Sequence, residues 1–504
     1  MKNQRMDRFS ILFAVVLFST ELLPGQVYSD LWGKVGERWT AEGRLPDFSY
    51  AGYHFGEDVL PKIAVVTDVI RFGAKGDGKT DCTEAFRKAI EATDKGAILI
   101  PAGRYLLSDI IWINKPGIVL RGAGEGKTVL FINRELEDVR PNMGATTSGR
   151  PTSNYSWSGG FIWVKGSYRD KKVADIVSPV IRGGRDIVLT KDVKLEKGQI
   201  VSVEVMDDKK KTLLDHLYSG DPGSTKKIKK AIRTRLISRV ASIEGKRVTL
   251  ERPLRFDLRA EWKPVLKTVD PSVSEVGIED LSIEFPVKPY RGHFTERGLN
   301  GIAMTRVVNC WIKNVRISNS DSGVYLTGHF STIDGLVLDA RRKAYKGTTG
   351  HHGIFLGMDN LVTHFDLQTH FIHDLGLGYM SNGNVYKNGK GVNLSLDHHK
   401  KAPYENLFSN LDVGDGSEIW RCGGGRDLGK HCGARGTFWN IRAKKNLTWP
   451  RESFGPDSMN LIGLSSKGRP IKDAGGKWFE PLDPALIQPR DLHAAQLARR
   501  LKMK

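Results

Sequence analysis

The sequence predicts an all-β chain wound as a single-stranded parallel β-solenoid. Seven short segments repeat one pattern: 276–284 (VGIEDLSIE), 311–317 (WIKNVRI), 332–338 (TIDGLVL), 362–367 (VTHFDL), 408–413 (FSNLDV), 438–443 (FWNIRA) and 461–466 (LIGLSS). Each sets apolar residues before a single pivot and an apolar-x-apolar triplet after it. The pivots are Asp280, Asn314, Gly335, His364, Asn410, Asn440 and Gly463, residue types that tolerate positive φ better than most. They are separated by 34, 21, 29, 46, 30 and 23 residues. A period of roughly 20 to 30 with variable insertions suits stacked coils better than a fixed-length helical repeat. The 46-residue step fits two coils, and Asp374, ten residues after His364, is a rival pivot.

Taken in order, residues 1–29 begin with Lys2, Arg5 and Arg8 and continue into an apolar run, Ile11 to Phe18, too short to span a bilayer. They read as a secretory signal peptide, so the protein is expected to be secreted or periplasmic. Residues 30–60 are aromatic and irregular and are expected to cover an open end of a larger body. Within 61–470, a β-branched run (Val65 to Phe72) leads through a glycine and aspartate loop into TEAFRKAIEAT, whose Phe86, Ala89 and Ile90 share one helical face. This short helix is expected to cap the first coil. A single strand–helix unit with no clear later helix is not the alternation of a doubly wound sheet. A basic insertion is expected near 200–260, containing KKK at 209–211 and KKIKK at 226–230. The tail, 471–504, puts Leu492, Ala495, Leu497 and Leu501 partly in helical register and is expected to cap the other end.

Lys and Arg total 77 against 57 Asp and Glu, a formal charge of +20. For an exported chain, that balance favours an acidic polysaccharide as partner over nucleic acid. No later segment is apolar enough to cross a membrane. Of four cysteines, Cys422 and Cys432 bracket the loop CGGGRDLGKHC. A local disulfide and two unpaired thiols both stay open there.

The run FGAKGDGKTDCTEAFRKAI followed by ILIPAGRY resembles the N-terminal signature of the pectate-lyase-like, right-handed parallel β-helix superfamily, in the branch that holds rhamnogalacturonases and tail-spike-like proteins. The matching residues are Gly73, Ala74, Gly76, Asp77, Gly78, Asp81, Thr83, Ala85 and Phe86, then Pro101, Gly103 and Tyr105. Cys82 stands where the signature usually has a second acidic residue. The resemblance implies a right-handed β-helix that holds a glycan along one parallel sheet, and it treats these N-terminal residues as structural. It does not assign a reaction. Asn319–Asp321 and Gly328–His329 match parts of the polygalacturonase pattern, but the aspartate pair and the Arg-Ile-Lys are missing. The calcium-binding aspartates of pectate lyases are not recognisable either. Calcium stays open as a cofactor, because oxygen ligands scattered over coils leave no linear motif.

Seven of 13 histidines fall between His351 and His399. The stretch SLDHHKKAPYENLF, 395–408, is expected to end a strand lining the glycan groove, alongside GVYL (323–326), GIFL (353–356), GVNLSL (391–396) and EIW (418–420). Aligning these strands brings His329, Asp359 and His399 to similar positions on successive coils. Strand alternation puts Asp397 and His399 on one side and His398 on the other. The same rule argues against a metal held by His398 with His399 or by His351 with His352, and no metal site is expected. A uronate-containing or sulfated glycan would be cleaved by β-elimination, which needs a base, a cation on the carboxylate and an acid for the leaving oxygen. The candidates are His399 or His373 as base, with Asp397 and His398 beside them, and Tyr404 as acid. Arg421, Lys390 and Arg435 are candidate anion clamps, Trp420 a stacking surface, and His329 and Asp359 further substrate contacts. A glycoside hydrolase is the alternative, with a carboxylate pair drawn from Asp397, Glu405, Asp412, Asp415 and Glu418, ~5 to 9.5 Å apart. A non-catalytic glycan-binding or surface protein is the third reading.

Overall fold

A computed structural model describes residues 25–471 and 477–503; most of the expected signal peptide lies outside them. The chain is a right-handed parallel β-helix. The seven repeats stack as parallel strands, and every pivot is left-handed, with φ from 50° at Asn314 to 75° at Gly335. The 46-residue step does hold two coils, because Asn388 is a further pivot, φ 51°. Asp374 is not a pivot. It is buried within the strand Phe371–Asn382 and accepts hydrogen bonds from the backbone N–H of Phe371 and Ser395, both at 2.9 Å. Pivot side chains join the coils: Asn314 Nδ2 donates to Asp280 at 2.9 Å and Asn410 Nδ2 to Asn388 at 2.8 Å.

The repeat pattern places one apolar residue above another. Ile278, Ile312, Ile333, Val362, Tyr386, Phe408, Phe438 and Leu461 are register partners in sequence, and all are fully buried. Each contributes on the order of 1.5–3 kcal/mol by leaving water, so coil-on-coil burial holds the stack.

A second sheet has seven parallel strands: Ile111–Ile113, Ile162–Lys165, Asn300–Thr305, Ser322–His329, Gly350–Met358, Phe371–Asn382 and Leu396–His398. Its inward column runs Ile111, Ile162, Ile302, Val324, Ile354, Leu375, Leu396. The next residue of each strand faces outward by alternation. That column reads Trp112, Trp163, Ala303, Tyr325, Phe355, Gly376, Asp397.

The helix Thr83–Ala92 sends Phe86, Ala89 and Ile90 into the solenoid core. The segment expected to cover an end instead lies along a flank. Tyr53 N donates to Thr332 Oγ1 at 2.9 Å, and its ring meets Trp311 edge-on. The tail helix Leu492–Lys502 joins it there, with Trp32 and Phe48 over Val385, Leu407, Trp439 and Ile462. The reason is that these outward positions are apolar on successive coils and need cover. The last coil is extended by the short strand Trp478–Glu480, parallel to Asn460–Ser466.

The insertion is wider than 200–260. It is a six-stranded antiparallel sheet between Lys172 and Thr268 with its own core of Val203, Leu213, Leu236 and Trp262, to which Tyr404 belongs. All four cysteines are unpaired; Cys422 Sγ accepts from His398 N at 3.2 Å. Among the described residues no helix is long and apolar enough to cross a membrane.

Candidate functional site

Asp397 ends the outward column, fully buried beneath the 421–432 loop. Its Oδ1 accepts from Gly423 N at 2.7 Å and its Oδ2 from His399 Nδ1 at 2.9 Å; the same Oδ2 lies 3.2 Å from His373 Nδ1. Burial opposes its charge, but the two imidazoles, His373 then His399, hold its carboxyl well below the usual carboxylate range. For His399, burial opposes the imidazolium but the Asp397 carboxylate outweighs it, and the pKa is raised. The His399 side chain is 34% exposed, so one ring nitrogen is fixed by Asp397 and the other faces outward.

The next three residues, Lys400, Lys401 and Ala402, are all left-handed, φ 64°, 58° and 55°. Each costs about 1–2 kcal/mol. The run is held by Lys401 N donating to Leu428 O at 3.0 Å and Ala402 N to Tyr218 Oη at 2.8 Å. Gly423 lies against the site with no room for a side chain: an added Cβ would sit 2.1 Å from His399 Cε1 and 2.7 Å from His373 Cε1.

Around this pair the coils gather more imidazoles. Ring centroids are 5.1 Å apart for His373 and His399, 4.9 Å for His352 and His373, and 4.2 Å for His351 and His352. His293, from the segment before Asn300–Thr305, stacks on Phe294 and comes within 4.5 Å of His351. Burial is the first cause that keeps them neutral, pushing His373 down to about 3 and His293 to about 4. Glu296 lies beyond, 3.6 Å from His351 Nδ1. Burial pushes its carboxyl up to about 7, and it accepts from Tyr290 Oη at 2.5 Å and Ser156 Oγ at 3.1 Å. It lines a cavity of about 390 Å³ with Asp321 and Arg342.

Of the residues expected from sequence, His399, His373, Asp397 and Arg421 come together. Arg421 donates to the carbonyls of Phe371 and Ile372 at 3.0 and 2.6 Å and depresses the His373 and His293 imidazoles. The others are corrected. His398 points inward among Phe408, Phe438 and Phe454, as alternation requires. Tyr404 is fully buried in the insertion core, bonded to Thr234 Oγ1 at 2.7 Å, so it is not a substrate acid. Arg435 is bound to Glu405 at 2.7 Å, and Lys390 sits on the other sheet near Asp366. Trp420 packs edge-on against Phe438 and Phe454 and donates to Thr448 O. His329 and Asp359 are buried against the insertion's arginines, His329 on Arg235 and Asp359 on Arg252 and Arg255. Their alignment with His399 fails because Phe371–Asn382 supplies the intervening groove strand, and 418–420 is not a strand.

The sequence reading missed His293, Glu296 and Gly423, which lie far along the chain from the 395–408 stretch with no local pattern marking them. The adjacency argument holds for its own pairs, since among the described residues no donor group joins His351 to His352 or His398 to His399; what it did not reach is donors from separate coils, where His351 lies near His293 and His352 near His373. Two sets, His293 with His351 and His373, and His373 with Asp397 and His399, hold their donor atoms within 4.8 Å of one another. These nitrogen-rich sets suit a transition metal better than calcium.

The exposed lysines of 226–230 are docked beside this site. Gly429 N donates to Ser224 O and Lys227 N to Asp427 O, at 2.9 and 3.0 Å, so the basic loop abuts the loop that covers Asp397.

Residues 66–157 match the family model described as rhamnogalacturonase A/epimerase, pectate lyase-like, which bears out the resemblance carried by Gly73 to Tyr105. Alginate lyase 7 of Azotobacter vinelandii is 35% identical over 96 residues, 17% of this chain and 11% of that protein. Mannuronan C5-epimerase AlgE4 of the same organism is 33% identical over 93 residues, 17% of each. The match therefore spans under a fifth of either relative. Among solved structures, the tailspike protein gp49 from Pseudomonas phage LKA1 covers 82% of this chain and 67% of its own, at 13% identity and a TM-score of 0.43.

Proposed function

We propose that this protein is a carbohydrate-active enzyme that works outside the cytoplasm and cleaves a uronate-containing polysaccharide by β-elimination at His399. The observation that carries this reading is Asp397, buried and ionised, fixing Nδ1 of a partly exposed His399. Nε2 is then the basic atom facing the substrate. It takes the proton next to the uronate carboxylate. The C–H electrons form the new double bond, the C–O bond to the leaving sugar breaks, and water protonates the leaving oxygen. Arg421 and the lysines of 226–230 offer the cations that favour an acidic chain. Trp112 and Trp163, stacked at 4.8 Å and partly exposed on the outward column, supply a surface for the rest of the glycan. The relatives named alginate lyase and mannuronan epimerase support a uronate polymer as the class of substrate.

A second reading, glycoside hydrolysis, is favoured by one observation: Glu296, its carboxyl raised to about 7, shares a cavity with Asp321, which is ion-paired to Arg342 at 2.9 Å. A carboxyl whose proton is held more tightly than usual, near a second carboxyl engaged by an arginine, is the arrangement of a general acid and its partner.

The test is a panel of uronate-rich and sulfated polysaccharides, followed by ultraviolet absorbance of unsaturated products and by reducing ends. Absorbance that disappears in His399→Ala supports elimination. Reducing ends without absorbance, lost in Glu296→Gln, moves the site to the cavity. Retention on a polymer without cleavage leaves a binding protein.

A further inference from the structure

We propose that His293, His351 and His373 form a binding site for one divalent transition-metal ion of the zinc class. The site is independent of the elimination reading, since it rests on donor geometry and unpaired nitrogens.

Three side chains from three separated parts of the chain bring their donor nitrogens within 4.8 Å of one another. Ring rotations close that span onto one ion with metal–nitrogen bonds of ~2.0–2.1 Å. The imidazoles are otherwise poorly satisfied. Both ring nitrogens of buried His373, and Nδ1 of buried His351, have no hydrogen-bond partner. A buried polar atom without a partner costs about 1–3 kcal/mol, and such a cluster calls for a ligand.

Two carboxyl groups lie close to the rings without hydrogen-bonding them. Asp397 Oδ2 lies 3.2 Å from His373 Nδ1, and Glu296 Oε1 lies 3.6 Å from His351 Nδ1. Once the rings turn onto an ion, these carboxyl oxygens are within reach of the nitrogen each metal-bound ring leaves free, the arrangement in which an outer carboxylate fixes the tautomer of a ligating histidine. Half-buried His293 provides the way in. Three neutral imidazoles leave a fourth position for water or a substrate oxygen. An ion there stands beside His399, where it would neutralise a uronate carboxylate or polarise a water.

The experiment uses the full chain, stripped with a chelator and dialysed against Zn²⁺, with bound metal counted by elemental analysis and Co²⁺ used as a spectroscopic probe. The expected result is one Zn²⁺ per chain and a visible Co²⁺ spectrum of low coordination number, both lost in His293→Ala and His351→Ala. Glu296→Gln is expected to weaken Zn²⁺ by ~10-fold or more, and His364→Ala, an exposed coil pivot, to change nothing. If His351→Ala does not fold, His293→Ala decides alone, because His293 lies outside the coils. No bound metal, or stoichiometric metal that survives His293→Ala, overturns the proposal.

Discussion

His399 Nδ1 donates to Asp397 Oδ2 at 2.9 Å, and that same oxygen lies 3.2 Å from His373 Nδ1. One buried carboxylate thereby fixes the His399 imidazole and stands beside a second, His373, from the neighbouring coil.

Replacing that carboxylate separates orientation from presence. Asp397→Asn keeps the shape but can turn an N–H toward His399, and it is expected to lower kcat/KM by at least ~10²-fold on whichever uronate polymer is cleaved. His399→Ala should cost as much, and the double variant little more, because the two act as a unit. Effects that multiply in the double variant would show that Asp397 acts elsewhere.

Gly423→Ala should abolish activity while the far-ultraviolet circular dichroism stays that of the parent. Its Cβ would meet His399 Cε1 at 2.1 Å, far inside van der Waals contact, and the ring must leave Asp397. Gly425→Ala is the control, since its Cβ would meet nothing closer than 3.4 Å.

Asp359 was expected in the groove and belongs to stability. Its carboxylate is buried between Arg252 and Arg255, at 3.0 and 2.6 Å. Asp359→Ala strands two buried guanidinium groups and should cost about 3–5 kcal/mol in denaturant unfolding. A loss of substrate affinity at unchanged stability would restore the first assignment.

The coil bends can be tested at Asn410, φ 54°. Asn410→Ala keeps a Cβ in left-handed backbone and removes the bonds to Asn388 and Arg442, both 2.8 Å. The expected loss is about 2–4 kcal/mol. Asn410→Gly relieves the backbone strain only, so it should be milder by about 1 kcal/mol.

Acid sensitivity follows from His398, which burial pushes down to about 4. Its unfolded value is about 6.5. The unfolded chain therefore binds the proton first, and stability present above pH 6.5 is lost as pH falls toward 4, by ~1.4 kcal/mol per pH unit for this residue. His398→Leu should flatten that slope in denaturant titrations between those pH values; an unchanged slope would assign it to other groups.

The coil was legible in the sequence because its constraint is local. A bend with positive φ needs Gly, Asn, Asp or an equally tolerant residue, and the flanking triplet must alternate, so each pivot from Asp280 to Gly463 shows in its own neighbourhood. Alternation likewise separated His398 from Asp397 and His399. The one coil misread, at Asp374, looked the same locally: an acidic residue between apolar neighbours serves as a pivot or as a buried acceptor, and only its partner Ser395, a coil away, distinguishes them. The site was legible in part for the same reason. Asp397 and His399 are two residues apart, whereas His293, Glu296 and Gly423 reach them through stacking alone. Tyr404, Arg435 and Asp359 carry the residue types of a glycan site, and their burial comes from an insertion whose docking no periodicity records. The sequence by itself determined the bend, the pleat and the inward column, which are properties of consecutive residues. The tertiary structure decided which polar side chains remain on the outward face and which are paired away, because insertions, flank segments and coil register set that across hundreds of residues.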